Sequence, residues 1–426
     1  MTVTYRVPGA ILTEREHTVP LDHAAPGDTL TVFTREVAAP DGADRPYLVF
    51  LQGGPGFEAP RPTSPPSGWI KRALADYRVL LLDQRGTGRS TPANRKTLAR
   101  FASPRAQADY LAHFRADSIV ADAELIRPQV TGGEPWGVLG QSFGGFCTVS
   151  YLSFAPHGIR EAFVTGGLPG LTSTADDVYR LTYRQVAVKN REHYERYPMD
   201  VERARRVARS LAARPAALPD GGRLTVPRFQ SLGQLLGSST GSHVLHYLLE
   251  TPFAGDELTD DFLQKVQAQL SFAPGPLYAA LHEACYAQGG ATRWSAQRIR
   301  AEYPEFDAAA AVQGDVPLLF TGEMIYPWAF ELDPVLTPLT ECAEMLAARE
   351  DWPALYDAGQ LGQCDVPVAA AVYHDDMYVP RELSLDTAAA TRGLRRWVTD
   401  EYEHDGLRVS NGGVLDRLIR LARGEA

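Results

Sequence analysis

The pentapeptide Gly140-Gln141-Ser142-Phe143-Gly144 is the feature that most limits how this chain can fold. It follows the apolar run Trp136 to Leu139 and precedes a helix-like run from Phe146 to Phe154. A strand that turns sharply into a helix holds the serine between them in a strained backbone, and the turn has no room for bulky neighbours. We therefore interpret the glycines at 140, 144 and 145 as steric requirements and Ser142 as a nucleophile.

Short apolar runs on both sides of this turn predict an α/β fold with a mostly parallel central sheet flanked by helices. Helical segments such as Asp117 to Ile126, Arg381 to Ala390 and Val414 to Ala422 alternate with these runs. The first two strand-like runs suggest an antiparallel pair at one edge of the sheet. The predicted strands are Arg15 to Pro20, Thr29 to Val37, Tyr47 to Leu51, Tyr77 to Asp83, Trp136 to Leu139, Glu161 to Thr165, Val366 to Tyr373 and Arg395 to Thr399.

The alternation of strands and helices stops in the middle of the chain. Residues 169–345 are largely helical in character and contain no regular succession of strand-like runs. We predict that they form a helical cap inserted before the last strands. The core would then consist of residues 1–168 and 346–426.

An acyl-transfer serine needs a base, and the base needs a carboxylate to orient it. In folds with this kind of turn the three residues follow in the order Ser, then Asp or Glu, then His. Asp376 is favoured as the acid, because the D-x-x-x-P spacing places it in the turn before a helix that starts at Pro380. The neighbouring Asp375 remains an alternative. His404 is the only histidine downstream of Asp376, so it is the predicted base.

The oxyanion of a tetrahedral intermediate needs backbone N–H donors. The glycine-rich run Gln52-Gly53-Gly54-Pro55-Gly56 follows an early strand, and glycines let N–H groups approach a substrate oxygen closely. Gly54 is the preferred donor on this loop and Gly53 the next, together with the amide of Phe143 after the nucleophile.

Charge and composition narrow the range of partners. The formal net charge is −10, from 52 acidic and 42 basic residues, which argues against an electrostatically bound nucleic acid. No apolar stretch approaches the about 18 residues of a membrane span, so we expect no membrane partner and a cytoplasmic protein. No H-E-x-x-H motif, Cys/His cluster or nucleotide-binding fingerprint is present, and no metal or organic cofactor is expected.

Three segments carry a resemblance to a known family. They are the glycine-rich run from Gln52 to Gly56, the run Asp83-Gln84-Arg85-Gly86-Thr87-Gly88-Arg89-Ser90, and the nucleophile turn with its flanking residues. On these segments the chain resembles the proline iminopeptidases, serine peptidases built on the α/β-hydrolase fold. It departs from them at Gln52, where the family usually has histidine, and around the base, in Glu403-His404-Asp405-Gly406.

The resemblance implies an aminopeptidase that releases an N-terminal residue, preferably proline, through an acyl-enzyme. It also implies a peptide substrate with a free N-terminus, whose ammonium group is held by glutamates of the cap. Residues 240–345 contain 15 acidic and only 4 basic residues, which fits such a site. Glu283 and Glu323 stand among aromatic and apolar neighbours and are the candidates. The alternative for each is a structural carboxylate that caps a helix or pairs with an arginine.

A small apolar pocket near Ser142 would provide the preference for proline. Its candidate lining residues are Phe57, Phe146, Tyr286, Tyr326 and Trp328. Two other functions stay open from the sequence. One is a different activity on the same fold, such as an esterase, an amidase or a peptidase that removes a dipeptide or tripeptide. The other is a binding protein that keeps the fold without catalysis.

Overall fold

A computed structural model describes residues 2–25 and 27–425. The strands of this part of the chain are β1 Thr2–Val7, β2 Ala10–Pro20, β3 Thr29–Ala38, β4 Tyr47–Leu51, β5 Arg78–Asp83, β6 Trp136–Gln141, β7 Ile159–Thr165, β8 Ala216–Ala217, β9 Arg223–Leu224, β10 Phe253–Ala254, β11 Glu257–Leu258, β12 Val368–Tyr373 and β13 Leu394–Thr399. Nine of these described strands form one sheet in the order β1-β2-β3-β5-β4-β6-β7-β12-β13. The other four form two small hairpins, β8 with β9 and β10 with β11.

Helices connect and cover these strands. The α-helices are α1 Gly68–Ala73, α2 Arg95–Leu98, α3 Pro104–Leu111, α4 Ala116–Thr131, α5 Phe143–Phe154, α6 Ala175–Arg196, α7 Asp200–Ala213, α8 Val226–Gln230, α9 Gly241–Leu248, α10 Asp260–Leu270, α11 Pro276–Leu281, α12 Ser295–Arg300, α13 Ala308–Gln313, α14 Ala329–Leu332, α15 Thr340–Ala347, α16 Ala358–Leu361, α17 Arg381–Ala390, α18 Gly406–Val409 and α19 Gly413–Arg423. Short 3₁₀ helices lie at Pro156–Gly158, Ser231–Gly237, Glu283–Tyr286, Pro304–Phe306 and Thr337–Leu339. Within the described ranges, no helix is both long enough and apolar enough to cross a bilayer.

The sheet is antiparallel at one end and parallel over the rest. β1, β2 and β3 form an antiparallel meander, and β3 runs antiparallel to β5. From β5 onward every neighbouring pair is parallel. The predicted mostly parallel sheet and the antiparallel pairing of β2 with β3 are confirmed, and β1 lies outside that pair at the edge of the sheet. The sequence did not predict β1, because its side chains are mostly exposed and leave no burial pattern.

The central strands are buried on both faces, which explains their continuous apolar runs. On one face Val49 and Val138 pack with Leu152 of α5. On the other face Leu48 packs in a cluster with Leu415 of α19. Helices thus cover both faces of the central sheet.

The segment between β7 and β12 packs in two ways. Much of it buries its apolar side chains in a separate cluster, with Tyr183, Val207 and Phe262 among its members. Leu281 and Phe330 instead belong to the cluster on the sheet. The division of the chain at residues 168 and 345 remains a prediction from the sequence, and we use the word cap for residues 169–345 below.

Candidate active site

Ser142 stands between the last residue of β6 and the first residue of α5. Its backbone has φ 56° and ψ −126°, a conformation that residues other than glycine rarely adopt. A Cβ at Gly144 would lie 1.9 Å from the carbonyl oxygen of Leu51, and one at Gly140 would lie 2.3 Å from that of Gly144. A Cβ at Gly145 would likewise lie 2.4 Å from a backbone oxygen. These distances confirm the steric requirement for glycine around the serine.

A carboxylate and an imidazole meet close to this turn. Nδ1 of His404 lies 2.7 Å from Oδ2 of Asp376. The other oxygen of Asp376 accepts hydrogen bonds from the backbone N–H groups of Tyr378 at 2.9 Å and Val379 at 3.1 Å. Asp375 instead contacts the Nδ1 of its neighbour His374 at the surface. The structure thus brings Asp376, and not Asp375, to His404.

The carboxyl ends of parallel strands explain why these residues converge. Ser142 follows β6, Asp376 follows β12, and His404 lies in the loop after β13. The serine and the histidine both border the end of β7. The N–H of Ser142 donates to the carbonyl of Thr165 at 3.0 Å, and a Cβ at Gly166 would lie 3.1 Å from Nδ1 of His404.

The electrostatic environment favours a protonated His404. Burial lowers the pKa of its imidazole. The negative charge and hydrogen bond of Asp376 raise the pKa, the charge of Glu323 raises it further, and together they outweigh the effect of burial. The net result is a pKa raised above its ordinary value. An imidazole that accepts a proton readily, and that is held by a carboxylate at Nδ1, is suited to act as a general base.

The glycine-rich loop passes directly over the serine. A Cβ at Gly53 would lie 2.9 Å from the Cβ of Ser142. Gly54 has φ +132°, which favours glycine, and Phe143 opens α5, where the first N–H groups of a helix have no partner inside it. The side chain of Gln84 stabilises the loop by donating a hydrogen bond to the carbonyl oxygen of Gln52 at 3.0 Å.

A cavity of about 330 Å³ is bordered by Phe57, which follows the glycine-rich loop, and by Tyr378, while Ser142, His404 and Glu323 are not part of its lining. Its wall contains Phe57, Tyr326 and Trp328, all three predicted from the sequence, as well as Tyr278 and Tyr378. The ring of Tyr378 stands edge-on to His404 with centroids 4.8 Å apart. The lining is mostly apolar and aromatic, as is usual for pockets that bind small ligands.

Phe146 lies apart from this cavity. Its ring packs against Tyr286 at 5.9 Å between centroids and borders a narrow slot of about 10 Å³ that Leu168 and Cys285 also line. The structure therefore separates the aromatic residues predicted for one pocket into two groups.

Glu323 is only half-buried, and its surroundings are unusual for a carboxylate. The hydroxyl of Tyr278 donates to its Oε1 at 2.8 Å, and Gln234 donates to that hydroxyl at 2.8 Å. Among residues 2–25 and 27–425, no nitrogen of lysine, arginine or histidine lies within the 4.0 Å of an ion pair with this carboxylate. The carboxylate thus has hydrogen-bonding capacity left for a cation beside the base.

Glu283 has a different environment. Its side chain is buried, and its two oxygens accept the backbone N–H groups of Ser295 at 3.0 Å and Ala296 at 2.9 Å, at the start of α12. Burial raises the pKa of this carboxyl group. These contacts match the structural alternative, in which the glutamate caps a helix, and we leave Glu283 out of the site.

Sequence reasoning missed three side chains of this site. Tyr378 follows Asp376 by two residues, so its place in the acid turn was a usable signal. Tyr278 and Gln234 had no local signal, because only the packing of the cap brings them to Glu323.

Comparisons with known proteins identify the family to which the chain belongs. A family model described as alpha/beta hydrolase fold matches residues 46–247. The chain is 51% identical over 410 residues to a proline iminopeptidase of Aeromonas sobria, with 95% of each protein covered. It is 34% identical over 417 residues to the proline iminopeptidase aneH of Aspergillus aculeatus, covering 95% of this chain and 92% of that one. A homoserine O-acetyltransferase of Staphylococcus aureus aligns with a TM-score of 0.45 and 13% identity over 97% of this chain and 95% of its own. The family match confirms the α/β-hydrolase fold predicted from the sequence.

Proposed function

Because the chain belongs to the proline iminopeptidase family of α/β hydrolases, we propose that it is a serine aminopeptidase that releases an N-terminal residue, preferably proline, from peptides. The pairing of His404 with Asp376 beside the Ser142 turn is the observation that carries this proposal. Family membership supports the choice of a peptide substrate.

In the proposed first step, Nε2 of His404 takes the proton of the Ser142 hydroxyl as its oxygen attacks the carbonyl carbon of the N-terminal residue. The amides of Phe143 and Gly54 donate to the resulting oxyanion, with Gly53 as the other candidate on the loop. The C–N bond then breaks, and the imidazolium gives its proton to the leaving amine. The products of this step are an acyl-serine ester and a shortened peptide.

In the second step water replaces the leaving amine. His404 takes a proton from the water, hydroxide attacks the ester, and the proton returns to Ser142 as the free amino acid departs. Asp376 keeps the proton on Nδ1 and stabilises the imidazolium in both steps. Protein groups therefore balance every proton transfer in the cycle.

In this proposal Glu323 determines which peptide bond is cleaved. A free N-terminal ammonium would form a charge-assisted hydrogen bond with its carboxylate, beside the Tyr278 hydroxyl that already holds one oxygen. An anchored ammonium places only the first carbonyl of the peptide at the serine. Phe57 and Tyr326, which line the cavity, are the proposed apolar contacts of the substrate, and they would favour a proline ring over a polar side chain. Phe146 borders the separate narrow slot and is not one of these contacts.

Hydrolysis of proline, alanine and acetyl-proline arylamides by the wild type and by Ser142→Ala tests the proposal. We expect cleavage of the free-amine proline substrate, weak cleavage of the alanine substrate and none of the acetylated one. The Ser142→Ala variant should lose about four to six orders of magnitude in kcat. Equal cleavage of the acetylated substrate would instead support an esterase or a peptidase that removes a dipeptide or tripeptide. Unchanged turnover by the variant would refute the serine mechanism.

A further inference from the structure

The loop that carries His404 is tied to the cap at three consecutive residues. Oε1 of Glu403 pairs with Nζ of Lys189 at 2.7 Å. The backbone N–H of His404 donates to the carbonyl oxygen of Gly237 at 3.2 Å. The carboxylate of Asp405 accepts the hydroxyl of Ser239 at 2.6 Å and its backbone N–H at 3.2 Å. Both neighbours of the base, and the base itself, are thus held by residues of the cap.

Lys189 makes its contact from a buried position on α6. Its side chain is only 4% exposed, and it also lies 3.2 Å from Glu192. Burial lowers the pKa of its ammonium group, but Glu403 and Glu192 outweigh that effect and keep the pKa raised. Burial also raises the pKa of the Glu403 carboxyl group, and the charge of Lys189 opposes that effect. A buried ion pair is costly to desolvate and adds little net stability, whereas its geometry is specific. This favours a role in placing the loop.

Tyr378 provides a further connection on the other side of the imidazole. Its ring stands edge-on to His404, and its hydroxyl donates to the carbonyl of Gln234 in the same cap segment as Gly237. A Cβ at Gly237 would lie 2.2 Å from Cζ of Tyr378. The cap segment 234–239 therefore packs closely against both the base and the residue that flanks it.

We propose that Lys189 and Ser239 are positioning residues for His404, so that the rate of catalysis depends on how the cap packs against the loop of the base. The inference rests on the proposed role of His404 as the base. Neither residue touches the substrate; each fixes a neighbour of the base by a side-chain contact. Because misplacement of a reacting group by about 1 Å can cost about a hundredfold in rate, loosening these contacts affects chemistry more than substrate binding.

Kinetics of Lys189→Met and Ser239→Ala test this inference. A proline arylamide reports kcat and KM, and a fluorophosphonate reports the rate at which Ser142 is phosphonylated, a reaction that needs the base but not an ammonium anchor. We expect kcat and the phosphonylation rate to fall together by about tenfold to a hundredfold, with KM unchanged. The matched control is Lys265→Met, which removes an exposed lysine of the cap that pairs with Asp261 and should alter neither rate.

Two further measurements separate positioning from folding. Lys189→Arg keeps the charge and should recover part of the lost rate, and circular dichroism shows whether each variant is folded at the assay temperature. If Lys189→Met does not fold, Ser239→Ala, whose side chain lies in an exposed loop, decides the question. Folded variants with wild-type phosphonylation rates would overturn the inference. A wild type that reacts with the fluorophosphonate but does not cleave the proline arylamide would refute the proposed function. The phosphonylation rates of the variants and the wild type would still test the positioning roles of Lys189 and Ser239.

Discussion

The hydroxyl of Tyr278 donates to Oε1 of Glu323 at 2.8 Å. A neutral donor orients the carboxylate without cancelling its charge, so the group can still attract a cation. In the described part of the chain no basic side chain forms an ion pair with it. A carboxylate with this environment is what the proposed anchoring of an N-terminal ammonium needs.

Glu323→Gln removes the charge and keeps the shape of the side chain. We expect kcat/KM for the proline arylamide to fall by about tenfold to a hundredfold, because a hydrogen bond to a charged group contributes about 1.5–3 kcal/mol. Most of the loss should appear in KM. The phosphonylation rate with a fluorophosphonate is the internal control, and an unchanged KM would show that the ammonium is held elsewhere.

The pH dependence of kcat/KM should report His404. The base must be neutral to accept the serine proton, and Asp376 and Glu323 raise its pKa above the ordinary value of 6.5, although burial and Arg408 oppose them. Activity should therefore fall on acidification through a pKa above 6.5. Glu323→Gln removes a negative charge that stabilises the imidazolium, so the acidic limb should move to lower pH. A limb that stays in place would show that the charge of Glu323 does not reach the base.

The two adjacent aspartates form a matched pair of variants. Asp376→Asn removes the carboxylate that holds Nδ1 of His404, and we expect kcat to fall by about 10⁴-fold. Asp375→Asn alters a surface carboxylate that pairs with His374 and should leave kcat close to that of the wild type. Steady-state kinetics of both variants give the result, and the reverse order would make Asp375 the acid.

Glu283→Gln should affect stability and leave substrate binding alone. One of its two oxygens would become an NH₂ group facing a backbone N–H of α12, and an unsatisfied buried group costs about 1–3 kcal/mol. We expect the midpoint of urea unfolding to fall while KM for the proline arylamide is unchanged. The control is Glu341→Gln on the exposed side of α15. A raised KM with unchanged stability would return Glu283 to the list of ammonium ligands.

Gly237→Ala should reduce activity through Tyr378. The added methyl would overlap the tyrosine ring, whose hydroxyl is fixed by Gln234, so the cap segment or the ring has to move away from His404. We expect a lower kcat in a folded enzyme. Gly290→Ala, where a Cβ meets no atom of the described chain within 4 Å, is the control and should behave as wild type in the same assay.

Local patterns were enough to predict the strands of the main sheet other than β1. Apolar runs marked the buried strands, because strands covered on both faces need apolar side chains at every position. Strand β1 could not be predicted in this way, because its side chains are exposed and need not be apolar. Glycines at 140 and 144 marked the turn at Ser142, because the clash that they avoid is with nearby backbone of the same turn and the adjacent strand.

The order of amino acids along the chain is enough to predict the fold class, the nucleophile turn, and the order in which a carboxylate and a histidine follow that turn. These depend on local backbone sterics and on chain order, which can be read along the chain. The spacing before Pro380 favoured Asp376 over Asp375, and the folded chain shows that it is Asp376 that reaches His404. Which of two glutamates keeps capacity for a cation depends on tertiary packing alone. Tertiary packing also decided that Lys189 and Ser239 meet the loop of the base. Those contacts join residues far apart in the chain, and their geometry depends on how the cap packs against the core.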